Sequence, residues 1–181
     1  MFKPWKEISP GLTNLIVSAA AACFLPICPA AAQESLSAVV VRILDGDTIR
    51  VHTGAGEELV RLIGIDAPES HENDKAWRDS KLSGRDIKTI LELGRQAYLY
   101  CTQLIHPGDR VTLQFDVQKR DKYNRLLAYV YLPNGSMLNE RLLQDGYAHL
   151  MTIPPNVRHT ERFKELFAEA RRAKRGLWRD E

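Results

Sequence analysis

From Ala38 to Asp66 the chain offers three short strand-like runs separated by tight-turn residues, and from Arg85 its apolar period lengthens to three or four residues. "AVVVRIL" (38–44) reads as a strand. "TIRVHT" (48–53) alternates, with Ile49 and Val51 on one face. "GAGE" (54–57) signals a hairpin, and "ELVRLIGID" (58–66) alternates strictly. In that run Leu59, Arg61, Ile63 and Ile65 share one face, whereas Val60, Leu62, Gly64 and Asp66 share the other.

The polar stretch 67–84 carries no pattern and is expected to be a loop. Beyond it, Ile87, Ile90, Leu91, Gly94, Ala97 and Cys101 belong to one helical stripe. "RVTLQFD" (110–116) and "LLAYVYL" (126–132) return to strand patterning on either side of a charged loop, 118–125. A short helix over 136–146, closed by Gly146, precedes the turn "TIPPNV". A last helix spans about Thr160 to Lys174, and Trp178 is expected to fold back onto the core. Five strands, with a helix between the third and fourth, make an α+β fold: a five-stranded OB-fold β-barrel with three α-helices.

The first 32 residues stand apart from this pattern. Lys3 and Lys6, an apolar stretch from about Leu12 to Pro29, and the alanines before Gln33 follow the order of a secretory signal. The expected organisation is a signal over 1–32, a lead-in over 33–37 and one folded domain over 38–179. Pro26 and Pro29 and the shortness of the stretch argue against a membrane anchor, which remains the alternative if the signal is not cleaved. The product would be secreted or periplasmic. Cys23 and Cys28 would depart with the signal, so Cys101 could form no internal disulfide; its place on the helical stripe makes it a core thiol. The five histidines show no zinc-ligand spacing, and a net charge of +2 offers no bulk attraction for nucleic acid.

"ILDGDTIRV" (43–51) sets two carboxylates and a glycine inside a strand-like run, where acidic residues are costly to bury. Asp and Gly are ordinary turn residues, so a bulge or turn cap would account for them. A calcium-binding helix–loop–helix does not. Counting from Asp45, Arg50 falls where that loop needs Gly and Gly56 where it needs Glu. The hairpin offers another reading, because the start of its first strand lies beside the end of its second. Asp47 and Asp66 are thereby neighbours, and with a backbone carbonyl after Asp66 they form an oxygen-rich shell suited to a hard divalent ion. Arg61 and Arg125 add planar donor forks of the kind that hold phosphoryl oxygens, and Glu69 stands where it could orient or deprotonate a water. Each residue taken singly has a plainer reading: a turn cap, a surface salt bridge, a solvated loop charge, a helix cap. Their co-occurrence favours the site.

In this order and spacing, "ILDGDTIRV", "RLIGIDAPE", "DKYNRLLAYVY" and "LNERLLQDGYA" resemble the staphylococcal nuclease (thermonuclease) family, over about Ala38 to Trp178. The resemblance implies one bound calcium ion, held by Asp47, Asp66 and the carbonyl of Ala67. It implies Glu69 as general base, Arg61 and Arg125 as phosphate-binding catalytic groups, and Lys122 and Tyr123 as nucleotide contacts. The family's reaction is calcium-dependent hydrolysis of DNA and RNA, leaving 3′-phosphate ends with little sequence preference. No stable protein partner is implied, and the domain is expected to be monomeric. Two features depart from the family pattern. The segment after Glu69 is longer than in the type member, and "HLMTIPPN" stands where the family carries nucleotide-stacking tyrosines. The rival expectation is an OB-fold module that binds nucleic acid without turnover; intact carboxylates facing phosphate argue against it.

Overall fold

In the computed structural model the chain divides into two units, Met1–Ala32 and Gln33–Glu181, with residues 1–2 and 34–179 described. The expected signal, apart from residues 1–2, lies outside the described residues. Seven strands and four α-helices follow: β1 (Ser35–Asp45), β2 (Thr48–Thr53), β3 (Gly56–Leu62), β4 (Ile65–Asp66), α1 (Asp74–Ser83), α2 (Ile87–Leu104), β5 (Arg110–Gln114), β6 (Leu126–Tyr131), α3 (Leu138–Gln144), β7 (His149–Leu150) and α4 (Thr160–Arg172). A 3₁₀ turn, Gly176–Trp178, closes the sequence of elements. None of the helices among the described residues is long and apolar enough to cross a membrane.

Five strands close into a barrel in the order β1–β2–β3–β6–β5, with β5 returning to β1. All neighbours are antiparallel except β3 and β6. This is the expected α+β OB-type barrel, with one helix more than expected among the described residues. Alternation explains the closure: Ile49, Val51, Val60, Leu62, Val111 and Leu113 all point inward and are buried. Strand β1 begins at Ser35, ahead of the expected Ala38, because Ser35–Val39 pair with Gln114–Arg110 and complete the barrel. Cys101 is buried on α2, and burial pushes its thiol up to about 12, so it stays protonated and inert. Trp178 is buried, edge-on to Phe167 and to His149.

Two departures from the patterned reading shape the site. First, the run 58–66 is not one strand. Gly64 has φ +81, a left-handed conformation that reverses the alternation, and a Cβ there would lie 2.5 Å from the Phe163 ring. Strand β4 therefore leaves the barrel and pairs with β7. The buried Asn139 of α3 secures this break, donating to the Ile63 carbonyl at 2.9 Å while accepting from the Val130 amide at 3.0 Å. Secondly, residues 74–83 of the expected loop form α1. Asn73 caps it by accepting from the Ala76 amide at 2.9 Å, Asp74 sits in its first turn, and Gly84 ends it at φ 70. Only Ala76 of this helix is buried, so there is no apolar stripe for periodicity to detect.

Candidate functional site

Asp45, Gly46 and Asp47 join β1 to β2 at one end of the barrel. Gly46 is required by proximity, since a Cβ there would meet the Ala67 Cβ at 2.7 Å and the Ala97 Cβ at 3.0 Å. Helix α2 presses on the neighbouring segment in the same way: a Cβ on Gly94 would come within 2.0 Å of the Glu69 carbonyl oxygen. The backbone bearing Asp66, Ala67 and Glu69 is thus clamped between the first hairpin and α2.

Asp47 is buried and accepts a hydrogen bond from the Ala67 amide at 2.6 Å. Thr48, next to it, lies opposite Arg61 in the β2–β3 ladder. Because the alternation reverses at Gly64, Arg61 and Asp66 face the same way, contrary to the strict period-two expectation. Arg61 then spans both aspartates, with Nη1 2.6 Å from Asp47 Oδ2 and Nη2 2.7 Å from Asp66 Oδ1. The first contact is an ion pair without hydrogen-bond alignment, so buried Nη1 retains a donor with no acceptor.

A second cation organises the remaining oxygens. Lys75, in the first turn of α1, places Nζ 2.9 Å from the Ala67 carbonyl, 3.1 Å from Glu69 Oε1 and 3.4 Å from both Asp66 Oδ2 and Asp79 Oδ2. Glu69 Oε2 accepts from Asn73 Nδ2 at 2.7 Å. Among the described residues no three His, Cys, Asp or Glu side chains gather by themselves as a metal centre. Basic groups stand between the carboxylates: Arg61 between Asp47 and Asp66, Lys75 among Asp66, Glu69 and Asp79. The donor set is nevertheless all oxygen and encloses a positive charge, which suits a hard divalent ion.

Burial and crowding show in the titration of these groups. Burial, then the charges of Glu69 and Asp47, push the Asp45 carboxyl up to about 7. Burial raises Asp66 against the opposing pull of Lys75 and Arg61. For Glu69, burial pushes upward, but Asn73 and Lys75 together hold its carboxyl below the usual range. Asp45 is one of the two paired carboxylates that the sequence marks, but neither it nor Lys75 has a place in the expected site. Asp45 was visible in "DGD"; Lys75 carried no signal beyond its place after the Asn73 cap.

The Asp45 shift has a consequence for stability in ion-free protein. Its folded-state value of about 7 lies above the ordinary 3.8, so the folded state holds a proton that the unfolded state has lost. The resulting stability is fully present at low pH and disappears as pH rises through about 7. Asp45→Asn keeps the shape and removes the charge. With a chelator present, its melting temperature should fall less than that of the unsubstituted chain as pH rises from 4 to 8; parallel curves would exclude this role for Asp45.

Arg125, Lys122 and Tyr123 occupy the loop between β5 and β6. Asp121 shapes that loop, accepting from the amides of Tyr123 and Arg125 and pairing with Arg125 Nε at 2.7 Å. Tyr123 is 68% exposed, with Lys122 Nζ 5.0 Å and Arg125 Cζ 5.5 Å from its ring centroid. This loop and the carboxylate cluster line a single cavity of about 1010 Å³, and Asp47, Arg61, Asp66, Glu69, Tyr123 and Arg125 all border it. Ala67 is buried and does not border the cavity; its carbonyl accepts from Lys75, which does. In the segment lacking the family's tyrosines, Met151, Ile153 and Asn156 contribute to the wall.

Similarity to known proteins matches this architecture. The sequence model of the family described as "Staphylococcal nuclease homologue" covers residues 59–180. The chain is 30% identical over 139 residues to the thermonuclease of Staphylococcus hyicus, which covers 77% of this chain and 73% of that protein. It is 32% identical over 143 residues to the thermonuclease of Staphylococcus intermedius, covering 78% and 76% respectively. Endonuclease YhcR of Bacillus subtilis is 30% identical over 155 residues, 84% of this chain but only 12% of the much longer relative. With a closed five-stranded barrel and a family match over two thirds of its length, the chain belongs to the staphylococcal nuclease homologue family.

Proposed function

We propose that the chain is a calcium-dependent nuclease that hydrolyses phosphodiester bonds of DNA and RNA to 3′-phosphate ends, with little sequence preference. The observation that carries this reading is one cavity bordered by two guanidinium groups and a cluster of carboxylates. The names of the relatives, thermonuclease and endonuclease, support it. Asp47, Asp66 and the Ala67 carbonyl would hold the ion, with Glu69 beside it. When bound, calcium would supply charge neutralisation at the scissile phosphate.

The chain's own groups would do the rest. Arg61, which borders the cavity, would hold one phosphoryl oxygen. Arg125 would hold a second as negative charge builds on phosphorus. Glu69 stays ionised and acceptor-competent because Asn73 and Lys75 offset its burial, so it can accept a proton from an attacking water. Tyr123, exposed at the rim, would stack a base, and Lys122 would contact the backbone phosphate. Action as a secreted or periplasmic monomer completes the proposal, and the N-terminal sequence pattern supports export.

A second reading, an OB-fold module that binds nucleic acid without cleaving it, is favoured by one observation: an ammonium already stands among the oxygens. Digestion of an end-labelled oligonucleotide separates the two. Chelator should abolish cleavage, calcium should restore it, and the products should carry 3′-phosphates. Full cleavage in excess chelator would reject the metal role. Binding with no cleavage at any calcium concentration would select the module.

A further inference from the structure

The sequence motifs assign no role to Lys75, yet its ammonium lies within 3.4 Å of four oxygens. Three of these, on Asp66, Ala67 and Glu69, belong to the shell assigned above to the divalent ion or its immediate surroundings. The side chain is only 26% exposed, so water screens these contacts incompletely. Two cations cannot share so small a volume. A divalent ion entering the same oxygens would lie a few ångströms from a positive charge, and repulsion in a partly buried site is worth about a tenfold loss of affinity or more even after the lysine shifts aside. The fourth oxygen belongs to Asp79, one turn along α1. That carboxylate offers the ammonium a partner outside the shell.

We propose that Lys75 is a tethered internal cation: it neutralises the carboxylate cluster when no divalent ion is bound, and it must move out toward Asp79 when the ion enters. The inference rests on the metal-dependent reading above and adds a competitor to it. It also gives α1 a purpose. The helix is made by its caps and buries one residue, so it is held loosely by packing, and Lys75, together with the Asn73 cap bonded to Glu69, ties it to the site. Ion binding would release the Lys75 part of that tie, leaving the Asn73 cap on Glu69 to hold the start of α1.

The test compares Lys75→Met with Lys81→Met, which removes the same charge from the exposed end of the same helix. Calcium binding is measured by titration calorimetry, and melting temperature is measured in chelator, both on the whole chain. Lys75→Met should bind calcium about tenfold more tightly or better and melt lower without it, while Lys81→Met matches the unsubstituted chain in both. If ion-free Lys75→Met is already unfolded, calcium-driven refolding at lower concentrations than the unsubstituted chain needs for binding supports the same conclusion. Calcium affinity unchanged or weakened in Lys75→Met would overturn the competition while leaving the metal reading intact. Absence of calcium binding in all three proteins would overturn both.

Discussion

Arg61→Ala is expected to cost about 3–5 kcal/mol of folding stability in ion-free protein and to lower turnover about a hundred- to a thousandfold. Two effects coincide at this position. The side chain is 12% exposed and bridges Asp47 and Asp66, so its removal leaves Asp47 without its ion-pair partner and Asp66 with Lys75 alone. Breaking a buried pair from one side is costly because the remaining charge keeps its desolvation penalty. The same guanidinium borders the cavity and is assigned a phosphoryl oxygen, so its contribution should grow as charge develops in the transition state. Calcium should recover much of the lost stability, since a divalent ion neutralises the same aspartates, but it should not recover the rate. Denaturant unfolding with and without calcium, beside steady-state kinetics, reads both. Stability unchanged by the substitution would show that Asp47 and Asp66 do not depend on this partner.

Arg125→Ala should lower turnover by a similar factor, about 2.7–4 kcal/mol of barrier, while leaving stability within about 1 kcal/mol. The chemistry of the two arginines is alike; their surroundings are not. Arg125 is 28% exposed on a loop, and its partner Asp121 keeps the amides of Tyr123 and Arg125 when the guanidinium is gone. Substrate affinity should fall only modestly, because a group acting on developing charge contributes little in the ground state. Losses of equal size in affinity and in rate would instead make Arg125 a binding group.

The contrast between these arginines shows what kind of information each level holds. That both join the carboxylates at one site is what the motifs imply, and for Arg61 it follows also from the hairpin, which any strictly alternating pair of strands joined by "GAGE" would form. That one is structural as well as chemical follows from burial, which no motif reports. The barrel strands and α2 were legible because their residues face one core, so the period of the apolar residues is also the period of the element. The long loop after Glu69 was misjudged for the complementary reason. Helix α1 buries almost nothing, and its only local marks were Asn73, Asp74 and Gly84.

What the sequence alone determined was the α+β barrel, its strand order around α2, and the residue types that converge near Asp47. These follow from local alternation and the order of the elements, although the barrel itself closes through distant pairings, β1 with β5 and β3 with β6. Tertiary structure alone decided that Arg61 and Asp66 face the same way. That depends on a reversal at Gly64, enforced by Phe163 from a helix nearly a hundred residues away and held by Asn139. It alone decided that Lys75 enters the carboxylate cluster and that Asp45 holds its proton to about pH 7. The physical reason is common to all three. Side-chain direction within a strand is a local property, whereas the charge a buried group carries depends on every polar atom that folding brings within a few ångströms of it.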